Sequence, residues 1–203
     1  PEGHRDASYL RRIIDETGIT MVQFVPSMLA VFLEETSGGI DSLQTVRKIL
    51  TGGESLSPAL TQRVFAAMPS AKVINQYGPT EATVDSTVVT LTEPLDVVTV
   101  GGPVPGSVAR VLDDRLRPVP SGVVGELYLG GGQLARGYAS ASVLTAERFV
   151  ADPLGAPGGR LYRTGDLVRW SGTGELEYIG RTDFQVKLHG QRIELGEIEA
   201  VLA

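Results

Sequence analysis

The sequence predicts an α/β chain that gives way to β structure, with a parallel βαβ sheet portion first and an antiparallel barrel or sandwich after it. Three observations carry this reading. Short strand-like runs alternate with helix-length amphipathic runs as far as Gly78; beyond it, β-prone runs are separated by turn residues; helical periodicity returns near Leu195.

The helical face of Tyr9, Leu10, Ile13 and Ile14 predicts a helix over residues 6–17, with Gly18 at its C-cap. Residues 19–25 form a short β-prone run. Pro26 breaks it, and Ser27 is placed to N-cap a helix through Met28, Leu29, Val31, Phe32 and Leu33. After a break at Gly38-Gly39, residues 48–50 make a second strand ending in Thr51-Gly52-Gly53. Ser57-Pro58 opens another helix, with Pro in the tolerated first turn, and residues 72–77 make a third strand. Past Gly78 the β-prone runs are 84–91, 108–112, 126–129, 161–162, 167–170 and 175–179. Turn residues separate them, including Asp113-Asp114, Ser121-Gly122 and Gly172-Thr173-Gly174. One helix interrupts the series at residues 142–149, and a last one starts near Leu195.

Composition removes much familiar chemistry. Of 203 residues, 42% are hydrophobic and 21% charged, ordinary for a globular chain with a buried core. Net charge is −6 with the signs mixed, which argues against nucleic acid as a main partner, since phosphate binding needs a basic stripe. No window reaches the roughly 20 apolar residues of a membrane span, and no signal peptide opens the chain, so no membrane partner is expected. With no cysteine, disulfides and thiolate chemistry are excluded. With only His4 and His189, a histidine zinc site or a Ser–His triad is not expected. The start at Pro1 and the stop at Ala203, inside a helical pattern, lead us to expect a piece of a longer chain.

Four motifs remain. Asn75-Gln76-Tyr77-Gly78-Pro79-Thr80-Glu81 ends the third parallel strand, where open α/β sheets bind ligands. Tyr77 offers a flat face to a planar base, Asn75 an amide for its edge, Thr80 a hydroxyl for phosphate and Glu81 an oxygen for Mg²⁺. The same residues also describe a Gly-Pro turn with a capping Thr. GELYLGGGQLARG, residues 125–137, holds three consecutive glycines without a following Lys-Ser/Thr, and reads as a bend or bulge where backbones approach closely. In Tyr162-Arg163-Thr164-Gly165-Asp166-Leu167, Asp166 is either a turn residue or a carboxylate for two ribose hydroxyls. Residues 180–199, GRTDFQVKLHGQRIELGEIE, read as a charged loop, a short strand and an acidic helix start favoured by the helix dipole. That plain reading leaves the density of Arg181, Asp183, Lys187 and Arg192 around glycines unexplained.

Taken in order, NQYGPTE, GELYLGGGQLARGY, YRTGDL and GRTDFQVKLHGQRIELGEIE resemble the adenylation domains of nonribosomal peptide synthetases. These belong to the adenylate-forming superfamily of acyl- and aryl-CoA ligases and luciferases. The resemblance spans the whole chain, and Gln185-Val186-Lys187 with Arg192-Ile193-Glu194-Leu195-Gly196 looks like the peptide-synthetase version. It implies an adenylate-forming enzyme fold truncated at both ends. Residues 1–90 would be the C-terminal portion of the large α/β subdomain and 91–182 a distorted antiparallel β-barrel subdomain. Residues 183–203 would be the hinge and the start of a small C-terminal α+β domain.

The resemblance further implies that an amino acid reacts with Mg·ATP to give an aminoacyl-adenylate, which passes to the phosphopantetheine thiol of a carrier protein. Condensation and carrier domains would flank the unit in a cytoplasmic parent. Tyr77 should stack on adenine, with Gly53 behind it and Asn75 on its edge. Thr80 should touch phosphate and Glu81 hold Mg²⁺, the pair acting as the catalytic residues. Asp166 should bind ribose, supported by Tyr178 and Arg181, and Asp183 matches the hinge. Lys187 and Gly190 would lie on the face presented during thioester formation. The substrate pocket aligns with Gln23, Leu50, Gly52, Gln76, Val84 and Asp85, a polar set that disfavours purely aliphatic or aromatic side chains. A contact of Asp85 with Gln76 or with water, above a small substrate such as glycine, is the competing reading of that pocket. The phosphate loop, an ammonium-binding Asp and a catalytic Lys lie outside these residues, so the piece alone is expected to lack useful activity. The alternatives are an acyl- or aryl-CoA ligase of the same superfamily, and a non-catalytic nucleotide-binding or interaction module.

Overall fold

A computed structural model describes residues 3, 6–36, 43–183, 185–188, 190–193 and 195–202. The chain divides into two compact units: residues 1–75, 90–98 and 187–193 in the first, and 76–89, 99–186 and 194–203 in the second.

The first unit is α/β. Helix α1 (Ala7–Thr17) begins where Asp6 accepts a hydrogen bond from the Tyr9 amide at 3.0 Å. It ends at Gly18, whose left-handed φ of 66° returns its N–H to the Ile14 carbonyl. Such a cap contributes about 1 kcal/mol. Strand β1 (Met21–Phe24) runs parallel to β2 (Lys48–Gly52), with Met21 opposite Lys48 and Phe24 opposite Thr51. The next strand in order is β3 (Lys72–Tyr77), reached through α3 (Pro58–Ala67), which Ser57 caps by accepting from the Leu60 amide. Phe24 stacks on Phe32 of α2 (Pro26–Thr36) at 5.0 Å between ring centroids, and Leu29, Ile49, Val64 and Val73 are fully buried. Ser27 is not the cap of α2. That helix starts one residue earlier, and Ser27 donates its amide (2.8 Å) and hydroxyl (3.0 Å) to Glu54. An outside carboxylate thus satisfies a donor that a cap would otherwise serve. The expected break at Gly38-Gly39 lies outside the described residues, as do His4 and His189.

The second unit is built on antiparallel strands. Strand β4 (Thr87–Leu91) pairs with β5 (Gly102–Pro103) through Thr87 and Val88. A second sheet holds β6 (Ser107–Leu112), β7 (Gly125–Gly131), β9 (Arg160–Trp170) and β10 (Leu176–Arg181) in the order β10-β9-β7-β6, with β8 (Phe149–Ala151) on β9. Its inner face packs Val111, Leu127, Leu129, Val168 and Leu176 against Tyr77 and Ala82. Helix α4 (Ser142–Arg148) stands where a helix is expected. Strands β11 (Val186–Leu188) and β12 (Gln191–Ile193), lying almost wholly in the first unit, form a hairpin about Gly190, and α5 (Leu195–Leu202) follows in the second.

Two β-prone runs differ from expectation. The run 84–91 becomes a strand only at Thr87, because Thr83 and Val84 take left-handed φ of 55° and 68° in a tight turn. Runs 161–162 and 167–170 are one strand, β9, held through its middle by the Thr164 hydroxyl donating to the Leu127 carbonyl at 2.7 Å. The triple glycine behaves as expected: a Cβ on Gly131 would lie 2.2 Å from the Gly106 carbonyl oxygen. Among the described residues no helix is long and apolar enough to cross a membrane.

Candidate nucleotide and substrate site

Strand register does the first part of the assembly. Asp166 on β9 and Arg181 on β10 are direct partners across the antiparallel pair, past an irregularity between Tyr178 and Gly180. Arg181 Nη1 donates to Asp166 Oδ1 at 2.6 Å, and Nη2 to the Thr164 carbonyl at 3.2 Å. Nε and Nη2 donate to the two oxygens of Asp183 at 2.7 and 2.9 Å. On the other oxygen of Asp166, Oδ2, the Tyr77 hydroxyl donates from 89 residues away in sequence. Asp166 is only 4% exposed, so its charge depends on these donors.

The electrostatics follow from burial and charge. Burial, and then the Asp166 charge, push the Tyr77 phenol well above its ordinary value, so it stays a protonated donor. Burial works against the Arg181 charge, but Asp183 and Asp166 outweigh it and hold the guanidinium above its usual range. The hydrogen bond from Arg181 holds the Asp183 carboxyl below the usual carboxylate range despite partial burial, and Arg148 adds to this from 3.9 Å. Tyr178, half-buried against the same core, is raised by burial and then by the Asp166 charge.

Tyr77 and Ala82 bracket the loop that carries Thr80 and Glu81. These two open a 3-10 turn, Thr80–Ala82, with Thr80 exposed at its start and Glu81 buried at 8% exposure. The Tyr138 hydroxyl donates to Glu81 Oε1 at 2.5 Å, and the Ala135 amide donates to the Glu81 carbonyl at 2.8 Å. Among the described residues no cluster of three or more His, Cys, Asp or Glu side chains could hold a metal. A single oriented carboxylate still fits Mg²⁺, which takes one or two protein carboxylates and completes its shell with water and substrate phosphates.

The expected pocket residues fall into two groups. On the first unit Gln23 and Leu50 are register partners, and Gly52, two residues on, shares their face of the sheet. On the second unit Gln76 Nε2 donates to Asp85 Oδ2 at 2.8 Å, beside the exposed Val84. Partial burial pushes the Asp85 carboxyl above its ordinary value. Asp85 thus has Gln76 as a partner, the contact named by the competing reading of the pocket. Asn75 is buried on β3, and Gly53 follows β2 at a left-handed φ of 83°. Both belong to the first unit.

Three residues outside the expected set prove important. Glu126 takes Arg163 Nε at 3.0 Å on both oxygens and the Gly165 amide at 3.0 Å, fixing the backbone just before Asp166. Tyr138 grips Glu81. Glu54 accepts from both Ser27 donors and from the Gly190 amide at 2.7 Å. Gly190 has a left-handed φ of 73°, and a Cβ there would lie 2.7 Å from Val25 Cγ1, so only glycine fits. Glu126 and Tyr138 sit inside GELYLGGGQLARGY. The available sequence signal was a carboxylate and a terminal phenol in a motif rich in glycine and apolar residues.

Comparison with known proteins identifies the family. Residues 1–139 match the family described as AMP-binding enzyme. Over all its 203 residues the chain is 51% identical to phosphinothricin tripeptide synthetase PhsB of Streptomyces viridochromogenes, and spans 17% of it. Over a 210-residue alignment that takes in the whole chain it is 46% identical to enterobactin synthase component F of Escherichia coli, spanning 16% of that protein. Among solved structures, holo-PA1221, an NRPS protein containing adenylation and PCP domains bound to a vinylsulfonamide inhibitor, superposes with a TM-score of 0.89. The match is 31% identical and covers 97% of this chain and 34% of that one. The artificially fused adenylation-PCP di-domain NpsA-ThdA of Klebsiella oxytoca gives a TM-score of 0.84 at 28% identity, covering 97% and 40%.

Proposed function

The chain belongs to the AMP-binding enzyme family, and on that premise we propose that it is part of an amino-acid adenylation domain in nonribosomal peptide synthesis. The observation that carries this reading is the meeting of Tyr77, Asp166 and Arg181. The Tyr77 hydroxyl and the Arg181 guanidinium fix the plane of the Asp166 carboxylate. Such a carboxylate suits the paired hydroxyls of a ribose. Tyr77 would take the adenine, and Tyr178 would support Asp166 beside Arg181.

In the reaction we propose, an amino-acid carboxylate oxygen bonds to the α-phosphorus of ATP while the bridging bond to pyrophosphate breaks. The carboxylate needs no general base, so the residues act by position and charge. Thr80 would hydrogen-bond a phosphate oxygen, and Glu81 would hold Mg²⁺. When bound, the metal neutralises charge on the departing pyrophosphate. Gln76, Val84 and Asp85 would line the side-chain pocket. The Gln76–Asp85 pair favours a substrate with a hydrogen-bonding side chain, because an apolar one would desolvate both groups without replacing their water contacts. The thiol of a carrier protein's phosphopantetheine then takes the aminoacyl group as the acyl–phosphate bond breaks and AMP leaves, with Asp183 as the hinge and Lys187 and Gly190 on the thioester-forming face. We place the reaction in the cytoplasm, where ATP is supplied, with carrier and condensation domains in the same parent.

The test is the fate of the activated acyl group. With amino acid, Mg²⁺ and ATP, the intact domain should load a carrier protein's phosphopantetheine arm, read as a mass increase equal to the aminoacyl group. Loading of free coenzyme A with an acyl or aryl acid instead would identify a CoA ligase.

A further inference from the structure

We infer that Tyr138 is a positioning residue for Glu81, fixing the carboxylate in the orientation that a divalent cation requires; this rests on Glu81 being the Mg²⁺ ligand. The segment 135–138 holds Glu81 at two points: the Ala135 amide on its carbonyl at 2.8 Å and the Tyr138 hydroxyl on its carboxylate at 2.5 Å. Tyr138 is itself anchored. Its amide donates to the Thr145 hydroxyl at 2.9 Å, and its ring stands edge-on to Phe149, centroids 5.7 Å apart. Phe149 in turn packs on the buried Tyr162 at 5.2 Å, whose hydroxyl lies 3.4 Å from that of Tyr138. These contacts leave the phenol little rotational freedom.

The choice of donor matters. A guanidinium or ammonium would orient Glu81 equally well but would neutralise the charge that attracts a cation. A phenol orients the carboxylate and leaves its charge in place. A phenol's ordinary pKa of about 10 makes it a neutral donor near neutral pH. Mg²⁺ demands near-octahedral geometry at about 2.0–2.1 Å, so a loose carboxylate would lose affinity steeply. Partners that orient a metal's ligands are typically worth about 10–100-fold in metal affinity.

The experiment measures ATP binding to the intact domain by calorimetry, once with EDTA and once with Mg²⁺, and takes the ratio of the two affinities. Glu81→Gln should bring that ratio close to one. Tyr138→Phe keeps the ring and removes only the hydroxyl, and should lower the ratio about tenfold with metal-free ATP binding unchanged. Thr145→Val, which frees the Tyr138 backbone, should give a smaller fall in the same direction. The double variant Glu81→Gln/Tyr138→Phe should fall no further than Glu81→Gln alone. A collapsed ratio in Glu81→Gln beside wild-type ratios in Tyr138→Phe and Thr145→Val would overturn the positioning role. An unchanged ratio in Glu81→Gln would overturn the metal reading of Glu81, and the proposal with it.

Discussion

Arg181 and Asp166 are register partners on adjacent strands and are joined at 2.6 Å, with side chains only 11% and 6% exposed. The same guanidinium holds Asp183 through two further hydrogen bonds. One cation therefore serves both the expected ribose carboxylate and the expected hinge residue.

Removing that cation should be costly. Arg181→Ala leaves Asp166 buried beside Tyr77 with its charge partner gone, and should destabilise the protein by about 3–5 kcal/mol. Arg181→Lys keeps the charge but cannot reach both carboxylates with a planar fork, so its loss should be intermediate. Urea denaturation followed by tryptophan fluorescence ranks the three proteins. Equal stability of wild type and Arg181→Ala would contradict the bridge.

Asp183 gives a pH signature. Its carboxyl is held below the usual range chiefly by Arg181, so it contributes stability above the unfolded value of about 3.9 and loses it as pH falls through the lower folded value. The difference in urea midpoint between wild type and Asp183→Asn should be constant above about pH 5 and shrink below about pH 4. A difference that grows with acidity has the wrong sign for this pairing.

Glu54 ties the amide and hydroxyl of Ser27 to the hairpin turn at Gly190. Glu54→Gln weakens these charge-assisted bonds and should cost about 1–3 kcal/mol. Hydrogen exchange at the Gly190 amide should speed up by tenfold or more in that variant. Gly190→Ala, which meets Val25, should show the same local loss of protection. Wild-type protection in both variants would show that the carboxylate does not hold the turn.

Selectivity should follow Asp85. Asp85→Ala leaves Gln76 without its acceptor and removes the charge from the pocket, so the kcat/KM ratio for apolar over polar amino acids should rise about tenfold or more. An unchanged ratio would place Asp85 outside the selectivity-determining set.

Legibility in the sequence divides along the range of the forces involved. Helix α1 and the start of α3 are set by Asp6, Gly18 and Ser57, whose capping acts within a turn, and both were readable. Strands β3, β6 and β7 were readable as β-prone runs. Strand β9 was not, because Thr164-Gly165 looks like a turn until Leu127 and Glu126 on the neighbouring strand hold it in the sheet, with Gly165 at a left-handed φ of 77°. Val84 looks like a strand residue by its branching, yet the turn that donates the Ser86 amide to the Tyr77 carbonyl forces it left-handed. The site residues were placed by motif, but their pairings were not. Tyr77 meets Asp166 across 89 residues and Tyr138 meets Glu81 across 57, and no local rule encodes either.

The central claim is that this chain contributes to amino-acid activation, and amino-acid-dependent ATP–pyrophosphate exchange by the intact domain tests it most directly. We expect exchange driven by an amino acid with a hydrogen-bonding side chain, weaker with leucine or phenylalanine, and reduced about tenfold or more in Asp166→Asn as charge-assisted contacts to the nucleotide are lost. Exchange that prefers leucine or phenylalanine would contradict the polar pocket. Exchange driven only by carboxylic acids lacking an amino group would contradict the claim itself.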